Sequence, residues 1–122
     1  MNKYLNVFKA LSDETRLRIV HLLLKAKKEL CVCEIVDSLS IPQYNVSKHI
    51  KELKIAGLLK ERKEAQFVFY SLNNANDKFY KSILKIVNLI PDEYFKQDDI
   101  RLNKTLSFRK YGKPNIKRRT KI

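Results

Sequence analysis

Hydrophobic residues recur along most of this chain at the three- and four-residue spacing of α-helices. Leu5, Phe8 and Leu11 have this spacing and predict a first short helix. Ser12 is a suitable N-cap for a second helix, in which most positions from Leu17 to Leu24 are apolar. A helix that is apolar on nearly all sides predicts an element that crosses the core.

Two further helices are predicted after a lysine-rich break at 25–28. The first runs over 29–39, and Pro42 suits the first position of the second, which extends from Gln43 to Ala56. Gly57 ends that helix as its C′ residue. The apolar stripe of the second helix consists of Val46, Ile50 and Leu53, with Ile55 at its margin. Two short helices joined by a tight turn predict a helix-turn-helix motif.

From Leu58 the pattern becomes strand-like and predicts a hairpin, or wing, with strands at 58–62 and 67–72 and a polar tip at 63–66. A final helix is predicted from Asp77 to Ile90, before Pro91. Its apolar face is wider than one small domain covers, which favours pairing with a second copy. The predicted fold is mainly α with a β-hairpin wing, a winged helix-turn-helix that dimerises through its terminal helices.

Charge divides the chain into two parts. The formal net charge is +13, but residues 1–100 hold 17 Lys and Arg against 13 Asp and Glu, whereas 101–122 hold nine and no acid. We therefore expect a winged-helix domain at 1–90 and a basic, flexible C-terminal extension at 91–122, whose tail makes non-specific phosphate contacts. A surplus of this size favours a polyanionic partner without distinguishing DNA from RNA or an anionic surface.

The 122 residues suffice for one modest core and make a large, multi-pocket enzyme improbable. The N-terminal residues lack the apolar run of a signal peptide, and no stretch approaches a membrane span, so we expect a cytoplasmic protein with no membrane partner. In that compartment a structural disulfide between the only two cysteines is not expected.

Polar residues with hydrogen-bonding side chains occupy the outward face of the helix from Gln43 to Ala56. Residues near the N-terminus of a recognition helix meet bases first, and Gln and Asn can bond adenine bidentately. The candidates for base contacts are Gln43, Tyr44, Asn45 and Ser47, those for the backbone are Lys48, His49 and Lys51, and those at the wing are Arg62, Lys63 and Gln66. We predict that these residues bind double-stranded DNA.

Cys31 and Cys33 are the other residues with distinctive chemistry, because two thiolates can chelate a thiophilic ion. Positions i and i+2 lie about 200° apart on an ideal helix, so chelation would require the first helical turn to open. The alternatives are that both cysteines are small core residues or that they form a thiol redox sensor.

Several motifs together resemble one known family. The chain reads Glu-Leu-Cys-Val-Cys-Glu-Ile at 29–35, Val-Ser-Lys-His-Ile at 46–50 and Gly-Leu-Leu at 57–59, after Phe-Lys-Ala-Leu-Ser-Asp-Glu-Thr-Arg-Leu-Arg-Ile at 8–19. Over about 5–90 it closely resembles the arsenic-repressor (ArsR) family of winged-helix metalloregulators. The resemblance implies a homodimeric repressor that needs no cofactor to bind DNA and leaves its operator when As(III) or Sb(III), the inducer, binds Cys31 and Cys33.

Three departures from the family pattern refine this expectation. Val36 stands where some members have a third cysteine, so a small-molecule thiol or another ligand would complete the coordination. The helix at 77–90 has no histidine, which disfavours a zinc-type sensor, and Ala65 replaces a frequent wing-tip glycine. A redox-responsive regulator of the same fold remains the alternative. An enzyme is not expected, because the chain lacks a glycine-rich phosphate loop and a Cys-x-x-Cys pair.

Overall fold

The computed structural model describes residues 2–73, 76–110 and 112–114. Its elements, in chain order, are α1 (Asn2–Leu11), α2 (Glu14–Ala26), β1 (Leu30–Cys31), α3 (Val32–Leu39), α4 (Gln43–Ile55), β2 (Leu59–Glu64), β3 (Phe67–Leu72), α5 (Lys78–Asn88), a 3-10 turn (Asp92–Phe95) and α6 (Lys96–Ser107). The mainly helical fold with a small wing agrees with the sequence prediction. None of the helices in the described ranges is long and apolar enough to cross a bilayer.

Helix α2 crosses the core, as its apolar sequence predicts. Ile19, Val20 and Leu22 are fully buried. The N-cap is Asp13 rather than Ser12, because the Asp13 carboxylate accepts a hydrogen bond from the Arg16 backbone N–H at 3.0 Å. The prediction placed both the cap and the start of this helix one residue too early.

Helix α4 buries one stripe and exposes most of the rest. Val46, Ile50 and Leu53 are buried, as predicted, whereas Ile55 is exposed. Gly57 follows with φ of 81°, a left-handed conformation that glycine adopts without steric cost. The chain thereby turns from the helix into β2.

The sheet has three antiparallel strands in the order β1-β3-β2. The predicted hairpin corresponds to β2 and β3, and β1 was not predicted. Strand β1 pairs Leu30 with Tyr70 and Cys31 with Phe69. The hairpin is also longer than predicted, because β2 continues to Glu64 and only Ala65 and Gln66 form the loop. Ala65 there has φ of 53°, the left-handed conformation for which glycine is usual.

Helix α1 meets the first turn of α5 through aromatic rings, with the Phe79 ring centroid 4.8 Å from that of Tyr4 and 5.8 Å from that of Phe8. The outer faces of both helices are apolar. The exposed large hydrophobic side chains on and next to these helices are Tyr4, Leu5, Phe8, Ile86 and Leu89. We call this set the α1–α5 apolar face.

The C-terminal extension is folded over much of its length, so the expectation of a flexible segment from residue 91 is wrong for 92–107. A 3-10 turn and α6 form there, and α6 packs on α3 and α2. Leu102 of α6 is buried in the main core. The boundary at residue 90 therefore does not separate α6 from the core, and the basic tail at 115–122 lies outside the described residues.

Candidate functional site

The outer face of α4 presents a continuous polar surface. Six of the predicted DNA-contacting residues on this helix are exposed, and none of their side chains has a hydrogen bond or ion pair with another residue in the described ranges. They are Gln43, Tyr44, Asn45, Ser47, Lys48 and Lys51. Side chains without internal partners are available to bind base edges and phosphates.

His49 does not share this face. Its Nδ1 lies 3.5 Å from an Arg16 terminal nitrogen and 3.7 Å from an Asp13 carboxylate oxygen, and its side chain is largely buried. The histidine therefore contacts the start of α2, on the inner side of α4. Its placement argues against the predicted backbone contact with DNA.

The wing residues predicted to contact DNA differ in how free they are. Lys63 and Gln66 are exposed near the tip, whereas the Arg62 guanidinium donates hydrogen bonds to both Glu29 carboxylate oxygens at 2.8 to 3.0 Å and to Glu64 at 2.9 Å. Hydrogen bonding to Arg62 lowers the pKa of Glu29. Arg62 thus ties the wing to the segment just before the cysteines, and its contact with DNA stays a prediction.

Cys31 and Cys33 are joined by a disulfide, which corrects the expectation that these cysteines would not pair. Cys31 lies outside the helix, because α3 begins at Val32 and Cys31 is its extended N-cap, with φ of −78° and ψ of 159°. The two sulfurs therefore meet without any opening of the first helical turn, and the predicted need for that distortion is wrong. Cys31 is also buried, in the sheet, while Cys33 is only partly buried.

A buried ion pair flanks the cysteines. The Glu34 carboxylate accepts a hydrogen bond from the Cys31 backbone N–H at 3.0 Å and two from the Arg109 guanidinium at 2.6 and 2.7 Å. Arg109 also donates to the Glu29 carbonyl oxygen at 2.8 Å. Arg109, the second residue after α6, thus holds both sides of the Cys31–Cys33 segment.

The other end of α3 is held by two further arginines. Arg18 of α2 donates to the Leu39 carbonyl oxygen and Arg101 of α6 to that of Ser38, at 2.8 and 2.7 Å. Both guanidiniums also pair with the buried carboxylate of Asp98. Since cations at the C-terminus of a helix satisfy its free carbonyls, α6 and the residues just after it support α3 at both ends.

Sequence reasoning did not find Glu34, Arg109 or Asp98. Glu34 stands three residues after Cys31, which is the spacing of a capping-box glutamate, and this signal was available. Arg109 is one of many basic residues in a segment without periodicity, so nothing local distinguishes it.

The chain is similar in sequence and in structure to known bacterial transcription regulators. The sequence profile of the bacterial regulatory protein, arsR family, matches residues 13–61. The arsenic resistance transcriptional regulator ArsR1 of Pseudomonas putida KT2440 is 38% identical over 96 residues, which cover 79% of this chain and 74% of that protein. Reduced HlyU from Vibrio cholerae N16961 superposes with a TM-score of 0.62 at 34% identity, covering 71% of this chain and 86% of that chain.

A third similar structure is the homodimeric winged helix-turn-helix DNA-binding domain Mb0332 of Mycobacterium bovis. Its TM-score is 0.62 at 25% identity, over 78% of this chain and 83% of that one. A polar recognition helix after a tight turn, followed by a wing, defines this chain as a winged helix-turn-helix DNA-binding protein. It belongs to the arsR family of bacterial regulatory proteins and is a transcription regulator, not an enzyme.

Proposed function

We propose that this chain is a homodimeric repressor that leaves its operator when As(III) or Sb(III) binds Cys31 and Cys33. The observation that carries the proposal is that the sulfurs of Cys31 and Cys33 meet. Cys31 belongs both to the wing sheet and, as the N-cap, to α3. Similarity to a regulator named for arsenic resistance supports the class of inducer.

The chemistry requires the reduced protein, because a disulfide offers no thiolate. Two molecules of a cellular thiol such as glutathione would reduce the Cys31–Cys33 bond to two thiols and leave as their own disulfide. Arsenous acid, As(OH)₃, would then exchange two hydroxyl groups for the two cysteine sulfurs and release two waters. The chain has no third cysteine, so a small-molecule thiol would displace the last hydroxyl as a third water.

A movement of Cys31 would be transmitted to the wing and to α4, the two elements that we expect to contact DNA. The Cys31 backbone pairs with Phe69 in the wing sheet, and its N–H is bonded to Glu34 in the first turn of α3. Helix α3 leads through a tight turn into α4. In the reduced protein the distance between the two sulfurs is free to vary, whereas an ion bound to both fixes it, and we expect this constraint to shift the wing relative to α4.

The α1–α5 apolar face supports the homodimer. Contiguous exposed apolar surface usually marks an interface in a soluble protein, and a twofold dimer brings the same face of each copy together. The similar domain from M. bovis is described as homodimeric. A dimer would also present two copies of α4 to two operator half-sites.

The operator-release experiment tests the inducer. The reduced protein, bound to an operator selected from random DNA, is titrated with arsenite, antimonite, cadmium, zinc and peroxide while fluorescence anisotropy is recorded. We expect arsenite or antimonite to weaken binding by about tenfold or more, as typical coupling energies allow. The variant Cys31→Ser/Cys33→Ser should bind the operator and not respond. Retention of the complex in arsenite, or a normal response of the double variant, would contradict the proposal.

A redox-responsive repressor is the second candidate, and the disulfide between Cys31 and Cys33 favours it. In that case peroxide, which oxidises the two thiols to the disulfide and is itself reduced to water, would cause release. Arsenite would have no effect on the reduced protein. The same titration therefore separates the two triggers.

The recognition helix gives a prediction about DNA alone. Gln43→Ala should weaken operator binding by about 1 to 3 kcal/mol and leave binding to unrelated DNA unchanged, because a base contact is lost. Lys48→Ala should weaken binding to both DNAs alike and reduce the salt dependence, because a phosphate contact is lost. Binding isotherms on operator and scrambled DNA at several salt concentrations check both, and equal losses for the two variants on the two DNAs would refute the assignment.

A further inference from the structure

A cluster of three possible metal ligands joins α2 to the C-terminal extension, remote in sequence from the cysteines. It consists of His21 on α2, Asp92 on the 3-10 turn and Asp99 on α6. One ligand atom from each residue lies within 4.8 Å of the others. We propose that this cluster is a second ion site, which binds a divalent first-row transition-metal cation such as Zn²⁺.

The donor set has the right chemistry. One imidazole nitrogen and two carboxylates suit Zn²⁺, Mn²⁺, Co²⁺ and related ions, whereas the absence of sulfur disfavours As(III). Ligand atoms about 2.0 to 2.2 Å from an ion stand roughly 3 to 3.5 Å apart, so the cluster has to contract slightly. The Asp92 side chain is 72% exposed and can make that movement.

Burial and stacking hold the ring of His21 in place beside Asp99. The His21 side chain is 3% exposed and is stacked on Phe95, with ring centroids 3.7 Å apart. One ring nitrogen, Nε2, lies 3.2 Å from an Asp99 carboxylate oxygen, and the other, Nδ1, has no hydrogen-bond partner among the described residues. Nε2 is therefore the nitrogen that faces the cluster, whereas Nδ1 points away from it and plays no part in the site.

The main competitor for the site is a weak one. Lys25 lies 3.6 Å from Asp92, but both side chains are largely exposed, and exposed ion pairs contribute little. A divalent ion held by three side chains would displace this ammonium. It would join α2, the 3-10 turn and α6, and so fix the extension that supports α3.

The test uses the full chain with Cys31→Ser/Cys33→Ser, which removes both thiols and keeps this site separate from the metalloid site. Zinc chloride is titrated by calorimetry, and thermal unfolding is followed with and without zinc. We expect one zinc per chain and a higher melting temperature, because the ion binds only the folded state. Adding Asp92→Asn should weaken zinc binding by at least about tenfold and remove the melting shift.

Glu93→Gln is the matched control, since Glu93 is the adjacent exposed acid and lies outside the cluster. It should leave zinc affinity unchanged. Asp92→Asn should fold normally, which circular dichroism checks, because its side chain is exposed. Failure of the cysteine-free protein to bind zinc, or equal affinities for the Asp92→Asn and Glu93→Gln variants, would overturn the proposal and leave His21 and Asp99 as an ion pair only.

Discussion

Replacing Arg109 by methionine is expected to lower the free energy of unfolding by about 3 kcal/mol, the cost of leaving a buried carboxylate without its cation. The Glu34 side chain is only 3% exposed and the Arg109 side chain 13%, so water replaces the lost hydrogen bonds poorly. Methionine retains much of the apolar stem, so the change mainly removes the charge. Urea unfolding of the full chain, followed by circular dichroism, measures the effect.

Two variants test the cause of this loss. Lys110→Met removes the neighbouring exposed charge and should change the stability by no more than about 0.5 kcal/mol. Glu34→Gln combined with Arg109→Met should recover part of the loss, because a neutral amide can still accept from the Cys31 N–H without a buried charge. Equal effects of the Arg109 and Lys110 changes, or no recovery in the double variant, would show that the ion pair contributes little.

Replacing Gly57 by alanine is expected to cost about 2 to 4 kcal/mol of stability, from left-handed strain and overpacking together. With φ of 81°, a Cβ at this position would lie 2.7 Å from the Tyr80 hydroxyl oxygen. That hydroxyl donates to the Ala56 carbonyl oxygen at 3.0 Å, and Tyr80 is buried, so the ring has little room to move. Because Gly57 joins α4 to β2, we expect weaker operator binding as well.

Gly112 offers a matched control for this prediction. It also has a positive φ, 75°, but a Cβ there would meet nothing within 4 Å. Gly112→Ala should therefore report the backbone strain alone, and its cost in urea unfolding should be clearly smaller. Tyr80→Phe in the Gly57→Ala background should relieve part of the overpacking. A cost at Gly57 no larger than that at Gly112 would exclude the clash with Tyr80 as a cause.

The elements that sequence predicted well are those whose signals are local. The stripe of Val46, Ile50 and Leu53, closed by Gly57, combines a helical period with a stop residue, and both features survive in the fold. The wing follows from a dense run of aromatic and β-branched residues at 67–72. Such patterns record which face of an element is buried, and they need no knowledge of distant partners.

The elements that were missed depend on distant or very short interactions. Strand β1 has two residues, too few to show a period, and exists because it pairs with β3. Helix α6 is held partly by charges, and its Asp98 meets Arg18 across 80 positions of sequence. The position of Cys31 outside α3 depends on two interactions. Its backbone pairs with β3, and its N–H donates to the Glu34 carboxylate, which caps α3.

Cys31 is linked to three separate parts of the molecule. Its backbone pairs in the sheet, its sulfur forms the disulfide with Cys33, and its amide proton forms the hydrogen bond with Glu34, which also binds Arg109. That single proton therefore has a magnetic environment set by the wing, the proposed inducer site and the C-terminal extension together. In a ¹⁵N–¹H correlation spectrum, one backbone resonance would report on the state of all three.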